Sequence, residues 1–245
     1  MLPDHSRQKA HKKTIWKEAK NMDAEIVKIN SSQRRVLGGI ASVYQKTFGS
    51  EPWNEGYRCP ACEKVFPLSC GEKKCPVCAK AMLEEYWPIE KIISDFLREM
   101  AKPKSLCLGA LVNGEIIGFA WGYEIVINPN IDLQLEAPGL HQLTRGTFFY
   151  LDETAILPLF QNKGIGKKLI QRIFMEQGQS NILLRTLNGS RMLQIIQKMG
   201  GKPMLFISRD RVIMTLDLSL LLKRLARIQC ASLILFPIIF ILSGS

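Results

Sequence analysis

Four cysteines form two matching C-P-x-C pairs, Cys59 with Cys62 and Cys75 with Cys78, and twelve residues separate the pairs. Two C-x-x-C turns can bring four thiolates to one tetrahedral point, which is the coordination of structural zinc sites. A redox-active C-x-x-C pair is the alternative, but two such pairs flanking a polar loop would be redundant. We therefore predict a Zn²⁺ site. Because four cysteine ligands leave no open position, we expect it to be structural and not catalytic.

The segment that carries these pairs has few large apolar residues, so it could not fold by itself without a metal. We expect a zinc ribbon, residues 57–80, inserted into a larger domain. Cys70 lies inside the ribbon and is either a spare thiol or a replacement for one ligand, whereas Cys107 and Cys230 fall in apolar runs and are expected in a core. The first twenty residues lack the apolar region of a secretory signal. The seven cysteines are therefore expected to be reduced in a cytoplasmic protein.

A turn from Gln161 to Lys168 contains two glycines and stands between a strand-like and a helix-like run. Glycines let backbone N–H groups converge on an anion, and a helix N-terminus adds partial positive charge. A P-loop is excluded, because Gln161 and Lys168 stand where its first Gly and its Ser or Thr are needed. A dinucleotide fingerprint is excluded by Leu169 at the position of its third glycine. The turn is therefore predicted to bind a phosphate-bearing ligand of another kind.

The remaining pattern, Q-x-x-G-x-G after the strand at 151–158, resembles motif A of the GNAT superfamily of N-acetyltransferases. Residues 48–55, and Asn188 with the Gly-terminated helix after it, are also similar to that family, so the resemblance covers about 24–218 without the cysteine segment. It implies the GNAT-like acyl-CoA N-acyltransferase fold, which is an α/β (α+β) mixed sheet with helices on both faces, and acetyl-CoA as cosubstrate. The residues that it implies for cofactor binding are Ile156 and Leu157 through their backbone edge, Asn188, and the turn residues Gln161, Asn162, Lys163, Gly164, Ile165, Gly166 and Lys167.

The same resemblance implies transfer of an acetyl group from acetyl-CoA to a primary amine. In the family a carboxylate on the strand before motif A often serves as base, directly or through water, and Asp152 and Glu153 are the candidates here. Because adjacent strand residues face opposite sides, at most one of them points at the thioester, and we slightly favour Glu153. The alternative is that both are solvated strand carboxylates. The backbone N–H near Ile156 would stabilise the oxyanion.

One position departs from the family pattern. Many relatives protonate the leaving thiolate with a Tyr on the last helix, but Ile196 stands there in this chain. The thiolate would then leave unassisted or with water, or the domain would be poorly active. Tyr150 and Tyr123 are candidate substitutes, although packing in the core explains each of them better.

The elements that must position these residues follow from the hydrophobic pattern. Asn113-Gly114 between two apolar runs predicts a hairpin, and Pro88 is suited to begin a helix. Glycines 200 and 201 suit a left-handed helix end. The predicted strands are residues 24–30, 105–112, 115–126, 147–157, 181–187, 205–209 and 212–218. The predicted helices are one ending near Phe48 and capped by Ser31 or Ser32, one after Pro88 with the stripe Ile89, Ile92, Ile93, Phe96, Leu97 and Met100, and those at 167–177 and 190–199.

Charge and the chain ends complete the organisation. The formal net charge is +11, and residues 160–211 contain ten Lys or Arg and two acids, which favours a phosphate-bearing ligand near the turn. We expect a basic N-terminal arm (1–23), a GNAT-like domain (24–218) and an apolar C-terminal tail (219–245). The apolar run at 231–242 is short for a spanning helix. It is expected to dock on the domain or to make peripheral membrane contact.

Two functions remain. The first is an N-acetyltransferase whose zinc module lies near the acceptor side and shapes or recruits the amine acceptor, a small molecule or a protein. The alternative is a catalytically weak or inactive adaptor that binds acetyl-CoA, protein or nucleic acid through the ribbon. The ribbon is only mildly basic and lacks the interleaved aromatic and basic residues that stack on bases. We therefore favour the enzyme and do not expect nucleic acid as a partner.

Overall fold

The structure, a computed structural model, describes residues 24–30, 32, 34–127, 145–179, 181–206 and 209–219. The expected basic arm, the cap at Ser31, most of the loop at 128–146, Cys230 and the apolar run at 231–242 lie outside these residues. Among the described residues, no helix combines the length and the hydrophobicity that crossing a membrane requires. The helices are α1 (Arg34–Phe48), α2 (Ile89–Met100), α3 (Ile165–Glu176) and α4 (Arg191–Lys198). The strands are β1 (Glu25–Lys28), β2 (Tyr57–Arg58), β3 (Val65–Phe66), β4 (Glu84–Glu85), β5 (Leu106–Val112), β6 (Glu115–Ile127), β7 (Gly146–Ile156), β8 (Asn181–Leu187), β9 (Lys202–Phe206) and β10 (Arg211–Asp217).

The strands form a mixed seven-stranded sheet in the order β1-β5-β6-β7-β8-β10-β9. Strands β7 and β8 pair in parallel, whereas β1–β5, β5–β6, β8–β10 and β9–β10 pair antiparallel. The order of strands and helices along the chain is the predicted one. The fold is therefore the expected α/β arrangement of a mixed sheet with helices.

The chain divides into two compact units, and each is described by itself. Unit 1 consists of Met1–Tyr123 and Asp152–Glu176, and unit 2 consists of Glu124–Leu151 and Gln177–Ser245. In unit 1 the apolar face of α1 packs with Ile92 and Phe96 of α2 and with Phe119 and Trp121 of β6. The predicted hairpin at Asn113-Gly114 is confirmed, because β5 and β6 pair on either side of it.

The predicted stripe of α2 is wrong at two positions. Ile92 and Phe96 are buried as expected, but Ile89 and Leu97 are each 42% exposed. The third buried residue of the helix is Glu99, which pairs with Lys102. Positions 92, 96 and 99 follow one helical face. The buried face of α2 thus carries fewer apolar side chains than predicted. At its end the buried residue is an ion-paired glutamate.

Unit 2 contains β8, α4, β9 and β10. Ser190 caps α4 by accepting a hydrogen bond from the N–H of Leu193, and Gly200 ends the helical region with φ +96°, as predicted. Strand β9 lies three residues earlier than expected, because Lys202 and Pro203 pair with β10. Proline is tolerated there because β9 is the edge strand of the sheet.

The cysteine segment has a small sheet of its own, in the order β3-β2-β4. Strand β4 lies beyond the predicted end at residue 80 and pairs with β2, so this sheet extends to Glu85. We call residues 57–85 the cysteine module. Its backbone is joined to the end of α1 by a hydrogen bond from the N–H of Leu68 to the carbonyl of Gly49, at 2.8 Å.

Candidate active site and cysteine cluster

The glycine turn joins β7 to α3 and lies wholly in unit 1. Gly164 has φ +80° and Asn162 has φ +67°, which are left-handed conformations that suit Gly and Asn. Helix α3 begins at Ile165, two residues earlier than predicted, so Gly166 and Lys167 belong to its first turn. The first N–H groups of a helix have no acceptor within the helix. A β-carbon added to Gly164 would meet no atom within 4 Å, so the backbone is accessible at this point.

Positive charge is concentrated beside these N–H groups. Lys167 and Lys168 are exposed residues of the first turn of α3, and that turn contains no acidic residue. Lysines at a helix N-terminus are unfavourable against the helix dipole unless an anion is also present. Lys163 stands in the turn itself, with its Nζ 5.2 Å from the centre of the Phe160 ring. This local positive charge would favour an anion beside the turn.

The end of β7 shows which backbone groups face which way. The N–H of Leu157 donates to the carbonyl of Ile117 in β6, so it is already paired. Because successive residues of a strand direct their backbone groups to opposite edges, the N–H of Ile156 points away from β6. The carbonyl of Ile156 accepts bonds from the Gln161 amide at 2.9 Å and from the Thr47 hydroxyl at 3.3 Å. Gln161 thus ties the turn back onto β7.

The two candidate bases have different partners. Asp152 accepts a hydrogen bond from the indole N–H of Trp121 at 3.2 Å. Glu153 accepts one from the hydroxyl of Tyr44 at 3.3 Å. Both carboxylates are half-buried. Each accepts a hydrogen bond from a neutral donor on an aromatic side chain.

A third carboxylate belongs to the same neighbourhood and was not predicted. Glu55 accepts a hydrogen bond from the indole N–H of Trp87 at 3.0 Å. Burial raises the pKa of Tyr44 well above its ordinary value, and the negative charges of Glu153, Glu55 and Asp152 raise it further. All three carboxylates therefore act on one phenol, which stays protonated.

Sequence reasoning missed Tyr44, Glu55 and Trp87 for a physical reason. Tyr44 stands at a helical spacing among apolar residues, and its ring lies in the core of unit 1. Its hydroxyl, however, reaches a residue 109 positions away. Glu55 lies two residues before the cysteine module and Trp87 two residues after it, and no local pattern shows that the module brings them together.

The four predicted metal ligands come together in the cysteine module. The sulphur atoms of Cys59, Cys62, Cys75 and Cys78 all lie within 4.8 Å of one another, with Cys59 to Cys78 at 3.5 Å and Cys62 to Cys75 at 3.7 Å. Zinc–sulphur bonds of about 2.3 Å in a tetrahedron place the sulphurs about 3.8 Å apart. The cluster therefore has the size and the donor set of a four-cysteine zinc site.

The two halves of the cluster share one backbone design. The N–H of Glu63 donates to the carbonyl of Cys59 at 2.9 Å, and the N–H of Ala79 donates to the carbonyl of Cys75 at 3.0 Å. Glu63 and Ala79, each four residues after the first cysteine of its pair, both have positive φ values of 60° and 53°. Left-handed geometry is costly for these residue types, so its repetition indicates a specific turn that presents sulphur atoms.

One thiol of the cluster is predisposed to ionise. Burial opposes the ionisation of Cys75, but the N–H groups of Cys78 and Val77 and the thiols of Cys59 and Cys62 outweigh it and lower its pKa to about 6. Cys70 lies outside the four-sulphur cluster, as expected of a spare thiol. Cys107 is 2% exposed and belongs to the core of unit 1, also as expected.

The other predicted positions lie in unit 2 or in the core. Asn188 of unit 2 is exposed, and its N–H and its side-chain amide bond to the carbonyls of Asp210 and Arg209. Ile196 is fully buried and supplies no proton donor. Tyr150 and Tyr123 are each 5% exposed, which agrees with their assignment to the core.

Comparison with known proteins agrees with this geometry. The family model described as "Acetyltransferase (GNAT) family" matches residues 76–188, a little less than half of the chain, and this segment contains Asp152, Glu153 and the glycine turn. No protein of curated function matches the chain.

Solved structures share the fold at low sequence identity. PH1933 from Pyrococcus horikoshii OT3 is 16% identical with a TM-score of 0.51, over 80% of this chain and 98% of that one. The histone acetyltransferase HPA2 and related acetyltransferase from Corynebacterium glutamicum is 14% identical with a TM-score of 0.51, over 80% and 97%. The PaiA N-acetyltransferase from Thermoplasma acidophilum, solved in complex with coenzyme A, is 18% identical with a TM-score of 0.47, over 80% and 99%. In sequence over residues 76–188, and in fold over about four fifths of its length, this chain is thus similar to the GNAT acetyltransferases.

Proposed function

We propose that this protein is an N-acetyltransferase that transfers the acetyl group of acetyl-CoA to a primary amine. The observation that carries the proposal is the turn at 161–166, which opens α3 with accessible backbone at Gly164 and follows a strand that bears two half-buried carboxylates. An anion-binding turn and a candidate base are thereby joined by one short segment. That segment lies inside the region that matches the family.

The turn would hold the diphosphate of acetyl-CoA. The N–H groups of Ile165, Gly166 and Lys167 open the helix, and Lys163 adds a full positive charge beside them. Asn162 shapes the turn through its left-handed backbone. In this proposal Gln161 acts mainly by closing the turn onto the carbonyl of Ile156, and Asn188 remains a predicted contact.

The pantetheine arm would lie along the second half of β7. Within unit 2, β8 pairs with Phe149–Leu151, the part of β7 that precedes Asp152. Ile156, whose N–H points away from β6, would then donate to the thioester oxygen and stabilise the negative charge that develops there. Leu157 contributes less than the sequence suggested, because its N–H is already paired with Ile117.

Catalysis requires a neutral amine, since a protonated one cannot attack the thioester. Glu153 is the proposed base, directly or through a water molecule, and Asp152 is the second candidate. The nitrogen forms a bond to the acetyl carbon, the carbon–sulphur bond breaks, and the proton of the nitrogen passes to the base. The coenzyme A thiolate would take its proton from water, because the buried Ile196 offers none. An acidic and aromatic neighbourhood also favours the approach of a cationic amine.

Zinc is proposed as a structural ion of the cysteine module. The four sulphur atoms fit a tetrahedral ion, and the module would lie near the acceptor side, since Glu55 and Trp87 flank it in the sequence. A bound ion would hold the two cysteine turns together, which the sparse apolar surface of the module cannot do alone. The location of the protein in the cytoplasm, the domain limits 24–218 and 219–245, and membrane contact through 231–242 remain predictions.

A binding test decides whether acetyl-CoA is the ligand. We would measure the Kd of acetyl-CoA by calorimetry for the native chain, Gly164→Glu and Gly114→Glu. Both glycines have nearly the same positive φ, of 80° and 78°, and both have open space where a β-carbon would go. Glu at 164 should abolish binding by placing a carboxylate at the anion site, and Glu at 114 should leave Kd unchanged. Absence of binding to the native chain would refute the proposal.

An acceptor test separates the enzyme from the adaptor. The alternative, a weak or inactive acetyl-CoA-binding adaptor, is favoured by the absence of a proton donor at Ile196. We would measure release of the coenzyme A thiol with spermidine, a lysine-containing peptide and kanamycin as amines, for the native chain and Glu153→Gln. Thiol release that needs both the amine and Glu153 supports the enzyme. Acetyl-CoA binding without thiol release from any amine favours the adaptor.

A further inference from the structure

Helix α1 contacts both the cysteine module and the proposed base. At its end, the N–H of Leu68 in the module donates to the carbonyl of Gly49, and the N–H of Glu55 donates to the carbonyl of Phe48, both at 2.8 Å. The side-chain amide of Gln45 donates to the carbonyl of Trp87 at 2.7 Å and to the carboxylate of Glu85 at 3.2 Å. The module is thus attached to α1 through both backbone and side-chain bonds.

Tyr44, the residue before Gln45, reaches from this attachment to Glu153. Its ring meets the ring of Trp87 edge-on at 5.2 Å. On β6 it faces Phe119 and Trp121, with ring centres 6.3 and 6.2 Å away and nearly parallel planes. Its hydroxyl donates to Glu153. A rigid aromatic side chain therefore connects the edge of the module to the carboxylate.

We propose that Tyr44 is a positioning residue for Glu153 and that the cysteine module, through Trp87 and Gln45, holds Tyr44 in place. The catalytic role of Glu153 rests on the proposed acetyl transfer, whereas the contacts of Tyr44 with Glu153 and Trp87 do not depend on it. A neutral phenol is suited to the task, because it orients the carboxylate and leaves its charge available for a proton. The raised pKa of Tyr44 agrees with this role, since the phenol remains a donor across the working range of the protein.

The proposal gives the cysteine cluster a function beyond local folding. If the four thiolates lose their ion, the two cysteine turns are no longer held together. Strand β4 and the adjoining Trp87 then lose their support, and the ring of Tyr44 loses one wall. The position of the proposed base would therefore depend on an ion bound to residues that never contact the substrate.

The test uses NMR of the full chain with carbon-13 at the ring carbon that carries the hydroxyl. The chain has five tyrosines, and the signal of Tyr44 is the one that Tyr44→Phe removes. In zinc-loaded protein it should titrate well above the ordinary value of a tyrosine, because burial and the three carboxylates raise the pKa of the phenol. Glu153→Gln should shift this signal and lower its titration. The matched Glu115→Gln, which alters an exposed ion pair with Arg35, should do neither.

Two further variants test the module. Trp87→Phe keeps all four cysteines, and Cys59→Ser removes one proposed ligand. Each should move the Tyr44 signal, whereas Cys70→Ser should leave it in place. Tyr57 and Tyr86 lie in or beside the module and report its loss independently. If their signals move in Cys59→Ser while that of Tyr44 does not, the link to the module is refuted; if Glu153→Gln leaves the Tyr44 signal unchanged, the positioning role is refuted.

Activity provides the last arm. With the fastest amine of the panel above, Tyr44→Phe should lower kcat by about 10- to 100-fold, the range expected for a misplaced catalytic group. The Kd of acetyl-CoA should not change, because Tyr44 is remote in the chain from the glycine turn and makes no bond to it. Tyr57→Phe serves as the matched control. If no amine is acetylated, the proposed enzyme fails, and the NMR arms still decide whether the module holds Tyr44 against Glu153.

Discussion

A β-carbon on Gly56 would lie 2.4 Å from the backbone nitrogen of Leu68. Gly56 is buried, and its own backbone is bonded on both sides. Its N–H donates to the carbonyl of Phe66 at 2.9 Å, and its carbonyl accepts from the N–H of Tyr86 at 3.0 Å. The chain just before β2 therefore approaches the backbone of Leu68 in the cysteine module so closely that only a residue without a side chain fits.

Gly56→Ala should disturb the packing of this segment against Leu68. A methyl group 2.4 Å from a backbone atom cannot be relieved by rotating a side chain, and overpacking of this kind costs about 1 to 3 kcal/mol. We expect the free energy of unfolding in urea to fall by that amount. Gly38→Ala is the matched control, because it lies in α1 with no atom within 4 Å of the added carbon, and it should stabilise the chain by about 0.5 to 1 kcal/mol. Equal effects of the two changes would contradict the close approach.

Much of the fold could be predicted because the signals are local. The hairpin at Asn113-Gly114, the helix end at Gly200 and the two cysteine pairs each depend on residues a few positions apart. The contacts that organise the site are not local: Tyr44 reaches Glu153 across the chain, and Glu55 meets Trp87 across the whole module. Strand β4 also escaped prediction, since Glu84 and Glu85 are poor strand formers and pair only because the module brings β2 beside them.

Cys59→Ser should release the metal, and Cys70→Ser should not. Metal analysis of the native chain should give about one zinc per chain, because four thiolates complete a tetrahedral site. Removal of one ligand leaves three sulphurs and an open position, which weakens binding and destabilises the module. Cys70 is a thiol of the same module outside the cluster, so it controls for the loss of a cysteine. Full zinc content and an unchanged Tm in Cys59→Ser would show that the ligand set is wrong.

Lys167→Gln should weaken the binding of acetyl-CoA in a salt-dependent way. Its positive charge lies in the first turn of α3, at the positive end of the helix dipole, so both would attract a phosphate. An exposed charge near a phosphate contributes about 1 kcal/mol at low salt. The Kd should therefore rise about fivefold at low ionic strength, and less at high ionic strength because the Debye length shortens. Lys28→Gln on β1 removes a lysine far along the chain from the turn and should have no effect. If both variants bind acetyl-CoA like the native chain, Lys167 does not contact the phosphates.

Alkaline pH should destabilise the protein through Cys107. Burial in the core of unit 1 raises the pKa of this thiol well above its ordinary value, whereas in the unfolded chain the thiol ionises near its ordinary value. The stabilising contribution is therefore complete below that ordinary value and is lost as the pH rises above it. The loss from one group is at most about 1.4 kcal/mol per pH unit.

Urea unfolding of zinc-loaded protein between pH 8 and 11 should show this decline in the free energy of unfolding. Cys107→Ala should reduce the slope of the decline even though the variant is less stable at pH 7. Cys70→Ala, which removes a thiol outside that core, should keep the native slope. Ionisation of Tyr44 also lowers the free energy of unfolding, at still higher pH. If the decline with pH is unchanged in Cys107→Ala, the whole effect belongs to the Tyr44 phenol and not to Cys107.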